Sequence, residues 1–169
     1  MYSLGGRPDR AIVQERLRTH PAFERVSYRG TPDVRVLVYR GEPALAMLRL
    51  PTLESGGRAN LHQGGVGVGI DMGGGRTTRA VWHRRATARH PDTGEPLAGR
   101  PIPDWPEVLI AARTVARATG LGFLGVDVVP DADSGPVVLE ANARPGLAIQ
   151  SATGIGLRGV LEEIDRAME

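Results

Sequence analysis

Residues 121–146 read LGFLGVDVVPDADSGPVVLEANARPG, and this stretch decides the fold. Two apolar runs, Leu121 to Val129 and Pro136 to Ala141, flank Asp131-Ala132-Asp133-Ser134-Gly135, a composition that turns a chain back on itself. Both runs are expected to be strands of one hairpin. A turn centred between Asp133 and Ser134 sets Asp127 directly opposite Glu140, where Cβ atoms lie about 4.5 to 5.5 Å apart and like charges repel. Two carboxylates in otherwise apolar strands call for a compensating cation. Asn142, two residues beyond Glu140, points to the same face and adds a neutral oxygen. Two carboxylates and an amide, with no His or Cys nearby, form a hard-oxygen set suited to Mg²⁺. The alternative is that Asp127 and Glu140 are strand-end charges, each held by a separate arginine. A register slip of one residue would undo the first arrangement.

Outward from this hairpin the chain reads as alternating strands with helices at its end. Asp33 to Arg40 alternates Val34, Val36 and Val38 with Arg35, Leu37 and Tyr39, and Arg40-Gly41-Glu42-Pro43 turns it into a second arm, Ala44 to Leu50. Glu54 to Asn60 is a loop. Val66, Val68, Ile70 and Met72 then alternate with Gly67, Gly69 and Asp71. Glycine at alternate strand positions signals a bulge or a close approach by backbone or ligand, and the run Gly64 to Gly69 could bring backbone N–H groups to a phosphate. Arg76 to Trp82 is expected to pair back after Gly73-Gly74-Gly75. His90 to Pro103, rich in proline, is expected to be a surface loop ordered by docking.

Asp104-Trp105-Pro106-Glu107 predicts a capping box, with Asp104 as N-cap of a helix that runs through Val108, Ala112 and Ala116 to Gly120. A last helix over Leu157 to Met168 is expected to bury Leu157, Val160, Leu161 and Ile164. At the other end, Ala11 to Leu17 is a short strand candidate. Met1 to Arg10 is polar and turn-rich and is expected to be disordered, which leaves 11–169 as one domain. The fold class is therefore α+β, an antiparallel sheet with flanking helices.

Composition narrows the chemistry. The 169 residues carry 21 basic side chains against 19 acidic ones, for a net charge of +2, and all the bases are arginine. Without lysine a P-loop or Schiff-base mechanism inside this chain is excluded, and without cysteine so are disulfides and thiolate nucleophiles. The arginines are interspersed with acids, and the few aromatics make no stacking platform with them, which argues against nucleic acid as a partner. No apolar stretch approaches membrane-spanning length and no secretory h-region opens the chain, so the expected location is the cytoplasm, with no membrane partner.

Asp127, then Glu140-Ala141-Asn142 with Ala143-Arg144-Pro145-Gly146, resembles the metal-binding end of the ATP-grasp ligases. Arg58-Ala59-Asn60-Leu61-His62-Gln63-Gly64-Gly65 is similar to a segment of the ribosomal-protein glutamate ligases, and Asp33-Val34-Arg35 matches their Asp-x-Arg strand. Ile12 to Leu17 resembles the hinge strand whose backbone meets the adenine edge. Together these identify the chain as similar to the alpha-L-glutamate ligase-like branch of the ATP-grasp proteins.

The resemblance implies ATP and Mg²⁺, and a carboxylate and an amine as substrates joined through an acylphosphate. It implies Asp127, Glu140 and Asn142 as metal ligands, Val13 and Glu15 beside the adenine, and Arg58 with Asn60 at the reacting phosphate. Arg49 and Arg35 are further candidates for nucleotide contact, against the plainer reading of a solvated or ion-paired strand face. His62 is a candidate proton carrier, against that of a loop-packing histidine. The other three histidines, His20, His83 and His90, read as structural.

The N-terminal subdomain of the family, with its phosphate-binding lysines and glycine-rich flap, has no counterpart in this sequence. Arg144 stands where close relatives carry a small residue. The chain is therefore expected either to be the C-terminal half of a larger enzyme or to borrow a partner, including a second copy of itself. A non-catalytic module acting through self-association or a partner is the alternative function.

Overall fold

The computed structural model describes residues 13–169. Seven strands, β1 (Asp33–Tyr39), β2 (Glu42–Leu50), β3 (Val66–Asp71), β4 (Arg76–Trp82), β5 (Arg85–Thr87), β6 (Phe123–Asp131) and β7 (Gly135–Asn142), form one sheet in the order β5-β4-β3-β2-β1-β6-β7. Every neighbouring pair is antiparallel. Three helices, α1 (Trp105–Thr119), α2 (Ile149–Thr153) and α3 (Leu157–Ala167), flank it. This is the expected α+β architecture. Among the described residues no helix is long and apolar enough to cross a membrane.

Strand alternation sends one set of side chains to each face. Val34, Val36, Ala46, Leu48, Val66 and Val126 face α1 and the docked segment 90–103 and form the larger core. Full burial of a Val or Leu is favourable by about 1.5–3 kcal/mol, so this face carries most of the cohesion. The opposite face holds only a small apolar cluster, Leu37, Leu45, Met47 and Val81 against Ile149, Ala152 and Leu157. The rest of that face is left to charged side chains.

Gly67 and Gly69 lie on this second face, and they admit backbone. A Cβ at Gly69 would stand 2.7 Å from the Ala152 carbonyl oxygen and from the Thr153 Cα, and one at Gly67 would stand 2.8 Å from Leu61 Cδ2. The glycine run thus seats α2 and Leu61, and at these two positions the close approach is by protein and not by phosphate. The β3–β4 pairing also shifts register between Val68 and Ile70, the bulge that such a run signals.

Several local expectations need correction. The β6–β7 turn is centred on Asp133, with Asp131 paired to Gly135 and Val128 to Val138. The Asp131 carboxylate accepts the amides of Asp133 at 3.1 Å and Ser134 at 2.9 Å, which favours the tighter count. A bulge at Leu139 then restores the pairing of Asp127 with Glu140.

Asp104 makes no capping hydrogen bond and sits at φ 49°. The start of α1 is fixed instead by Trp105, whose Nε1 donates to the Met72 carbonyl at 3.1 Å and whose ring packs against Gly75. Residues 13–18 form no strand. Only their last residue is anchored to the sheet, Arg18 accepting the Ala132 amide at 3.1 Å beside the Thr19–Asp131 bridge, and without a partner ladder Val13 is left 95% exposed. Residues 1–12, including Ala11 and Ile12 of that candidate and the expected disordered start, lie outside the described residues.

Segment 90–103 does dock, as expected, and it contributes core as well as surface: His90, Leu97 and Ile102 are buried. The His90 ring bonds the Pro51 carbonyl at 2.9 Å, a structural role. In α3 Leu157 is buried, whereas Val160, Leu161 and Ile164 are half-buried.

Candidate functional site

The charged side chains of the second face converge across β2, β1, β6 and β7. Arg35 lies opposite Asp127, Asp127 opposite Glu140, and Asp33 opposite Arg49. Arg35 grips Asp127 in a fork, Nε to Oδ1 at 2.7 Å and Nη2 to Oδ2 at 2.6 Å. Arg49 adds Nη2 to the same Oδ2 at 2.7 Å and makes its own fork with Asp33, the second bond at 2.8 Å. Both guanidiniums are largely buried, with side-chain exposures of 13% and 12%. The two strand arginines therefore belong to an ion-paired face.

Burial works to raise the Asp127 pKa, but the Arg35 hydrogen bond and the charges of Arg49 and Arg35 outweigh it and hold the carboxyl below its ordinary value. Asp33 responds oppositely. Its burial outweighs Arg49, and the carboxyl is pushed up to about 6. Burial also opposes the charge of Arg49, yet Asp33 and Asp127 hold that guanidinium protonated even more firmly than usual.

Glu140 and Asn142 form the open edge of the cluster. Asn142 Nδ2 donates to Glu140 Oε1 at 3.0 Å, and Arg35 Nη2 lies 3.8 Å from the same oxygen. Among the described residues nothing donates to Glu140 Oε2 or Asn142 Oδ1. Pro145 folds the following loop back over Gly125, where a Cβ would meet the proline Cβ at 2.8 Å. That packing accounts for proline three residues after the asparagine and glycine on the facing strand.

The other expected residues make no hydrogen bond or ion pair with this cluster among the described residues. The loop after β2 is tied by Thr52, whose Oγ1 donates to the Gly64 carbonyl at 2.9 Å, and it carries Arg58 with an exposed side chain. Asn60 caps a short 3-10 turn over Leu61–Gln63, its Oδ1 accepting from the His62 amide at 2.9 Å. Val13 and Glu15 lie on the exposed segment before Thr19. Sequence reasoning did not place Asp33 in the site. The signal was available, because the β1–β2 hairpin sets Asp33 opposite Arg49 once its bulge between Leu37 and Val38 is counted.

The oxygens fit a hard divalent cation in kind. Among the described residues no group of three or more His, Cys, Asp or Glu is arranged to hold a metal ion. The expected set has two acids and an amide, and arginines take up most of the capacity of one acid. Three carboxylates (Asp33, Asp127 and Glu140) share two guanidiniums, which leaves the ionised cluster one positive charge short. Glu140 and Asn142 are where a cation meets free oxygens.

The family model for sugar-transfer associated ATP-grasp proteins matches residues 1–166. The chain belongs to this ATP-grasp family. Curated relatives agree: a probable alpha-L-glutamate ligase of Shewanella loihica is 30% identical over 135 residues, covering 79% of this chain and 34% of the relative. One from Halorhodospira halophila is 32% identical over 139 residues, covering 81% and 35%. This ATP-grasp chain therefore spans about a third of the length of these curated relatives. A solved ATP-grasp ligase, PsnB complexed with minimal precursor, superposes with a TM-score of 0.44 and 20% identity, covering 84% of this chain and 36% of that one.

Proposed function

We propose that this ATP-grasp chain supplies the metal and phosphate side of an ATP-dependent ligase that joins a carboxylate to an amine. The observation that supports it is the pairing of Asp127 with Glu140, beside Asn142 and over two buried guanidiniums. In such a reaction a substrate carboxylate oxygen bonds to the γ-phosphorus as the bridging oxygen leaves with the electron pair of the broken bond, giving ADP. The amine nitrogen then bonds to the acyl carbon, phosphate departs, and the nitrogen loses a proton.

The barrier to the first step is repulsion between anions, which cationic groups fixed in advance reduce most effectively. Arg35 and Arg49 are committed to Asp127 and Asp33, so they keep those carboxylates from adding to the repulsion and leave the excess charge to be met by other cations. Arg58, exposed on the loop after β2, is the cation assigned to the transferring phosphoryl group. Asn60, committed through Oδ1 to its turn, keeps its Nδ2 for an anionic oxygen. Val13 and Glu15 offer backbone groups to the adenine edge. Glu140 and Asn142, with Asp127 behind them, are the residues to hold Mg²⁺. When bound it supplies the missing positive charge and draws electron density from phosphate oxygens.

Calorimetry with the non-hydrolysable analogue AMP-PNP, with and without Mg²⁺, tests this reading. The expected result is Mg²⁺-dependent binding, weakened at least about tenfold by Glu140→Gln, roughly the loss of one charge-assisted contact. Equal binding by wild type and variant, indifferent to Mg²⁺, contradicts it.

A further inference from the structure

A second feature lies on the same sheet face. One cross-strand row runs Asp33, Arg49, Gly67, Val81 through β1, β2, β3 and β4. Strands are spaced about 4.8 Å apart, so Val81 stands two spacings, about 10 Å, from Arg49. Val81 is a wall of an open cleft of about 630 Å³ between the Leu61–Gln63 turn, the β4–β5 hairpin tip and the loop before α2. Leu61 and Leu147 add to its apolar lining, His62 and His83 bring ring nitrogens to it, and Arg84 brings a guanidinium.

The hairpin tip departs from its local preference. His83 and Arg84 occupy φ of 49° and 62°, the left-handed pair of a two-residue turn that normally takes Asn, Asp or Gly. Glu54 holds the His83 ring at 2.8 Å, and the Trp82 indole anchors the strand end to the Gly64 carbonyl at 2.9 Å. The His83 ring is thereby committed to Glu54. Among the described residues the side chains of Arg84 and His62 make no hydrogen bond or ion pair. The arrangement is an apolar trough with an uncommitted, permanently charged guanidinium at its rim, and a guanidinium's fork matches a carboxylate.

We infer that this cleft is the recognition subsite for the carboxylate-bearing substrate, a small dicarboxylic acid that gives one carboxylate to Arg84, lays its carbon chain along Leu61, Val81 and Leu147, and keeps the other carboxylate for reaction. The inference rests on the ligase reading above and names the substrate class of that reaction. His62, on the turn capped by Asn60, lines the same cleft and serves as a second donor to the same anion.

Glutarate and its neutral isostere glutaramide are suitable probes, followed by backbone amide shifts of the full chain. Glutarate is expected to give saturable shifts at Leu61, His62, His83 and Arg84, and glutaramide none. Arg84→Gly weakens glutarate at least tenfold, and because glycine suits that backbone conformation, lost folding cannot explain the loss. Glutarate shifts that are absent or fall outside the cleft overturn the inference, as does affinity in the variant within twofold of wild type. Mg·AMP-PNP is titrated into the same samples. Nucleotide binding without glutarate binding refutes the subsite alone, and glutarate binding without any nucleotide response refutes the ligase reading alone.

Discussion

Glu140 lies opposite Asp127 because Leu139 is an extra residue in β7. With Asp133 at the centre of the turn, an unbroken ladder would bring Leu139 to Asp127 and send Glu140 toward the large apolar core. The bulge reverses the alternation at that one point, and the carboxylate and Asn142 emerge on the charged face. Bulges re-aim side chains in this way beside functional sites. Here the re-aimed acid is the exposed one, whereas the acid it faces is buried under two arginines.

The arginine pair is expected to be structural as well as chemical. Arg35→Ala leaves Asp127 buried with half its compensation, and removing one partner of a buried ion pair costs about 3–5 kcal/mol. Urea unfolding should show a loss of that size, and the double variant Arg35→Met with Asp127→Leu should recover much of it. An Arg35→Ala loss below about 1 kcal/mol, typical of exposed pairs, argues against a buried network.

Acid titration should separate the two aspartates. Asp33, raised to about 6, binds its proton more tightly folded than unfolded, so its contribution to stability is complete below about pH 4 and is lost as pH rises toward 6. Asp127, held below its ordinary value, contributes above about pH 4 and loses that contribution as pH falls further. Carboxyl carbon NMR should find the Asp33 midpoint near 6, and Asp33→Asn should abolish the stability decline between pH 4 and 6. An Asp33 midpoint at or below that of Asp127 contradicts this balance of burial against pairing.

Gly69→Ala should displace α2, since the new Cβ meets helix backbone at 2.7 Å. Overpacking of this kind costs about 1–3 kcal/mol. Gly122→Ala, with nothing within 4 Å of its Cβ, is the control and should stay near wild type. Thermal unfolding that ranks the two alike disproves the seating of α2 on glycine.

Asp104 offers a test of what starts α1. A capping aspartate replaced by glycine loses its cap bond, whereas an aspartate at positive φ is relieved by glycine, a gain of up to about 1 kcal/mol. Asp104→Gly should therefore match or exceed wild type in chemical denaturation. A clear loss of stability would show that the side chain caps the helix in solution.

The hairpins were legible because alternation and turn composition are local properties: Asp33 to Tyr39 with its return arm, and Phe123 to Asp131 with its own, follow from them directly. Bulges are not local, since an extra residue is visible only against its partner strand. The opposition of Asp127 and Glu140 was therefore reached through a turn one half-step out, with Leu139 making up the difference. The arginine fork on Asp127 was hidden for the same reason, because it depends on β1 lying between β2 and β6, an order that no short window encodes. Val13 and Glu15 resembled a strand by composition, yet a strand exists only where a partner ladder does.

The most direct test uses Mn²⁺ in place of Mg²⁺, titrated with AMP-PNP while the Asn142 side-chain amide and the Arg35 and Arg49 Nε resonances are followed. The account predicts strong paramagnetic broadening of Asn142, weaker broadening of both arginines, and none of this in Glu140→Gln. Broadening confined to other surface acids, with Asn142 untouched in wild type, would contradict it.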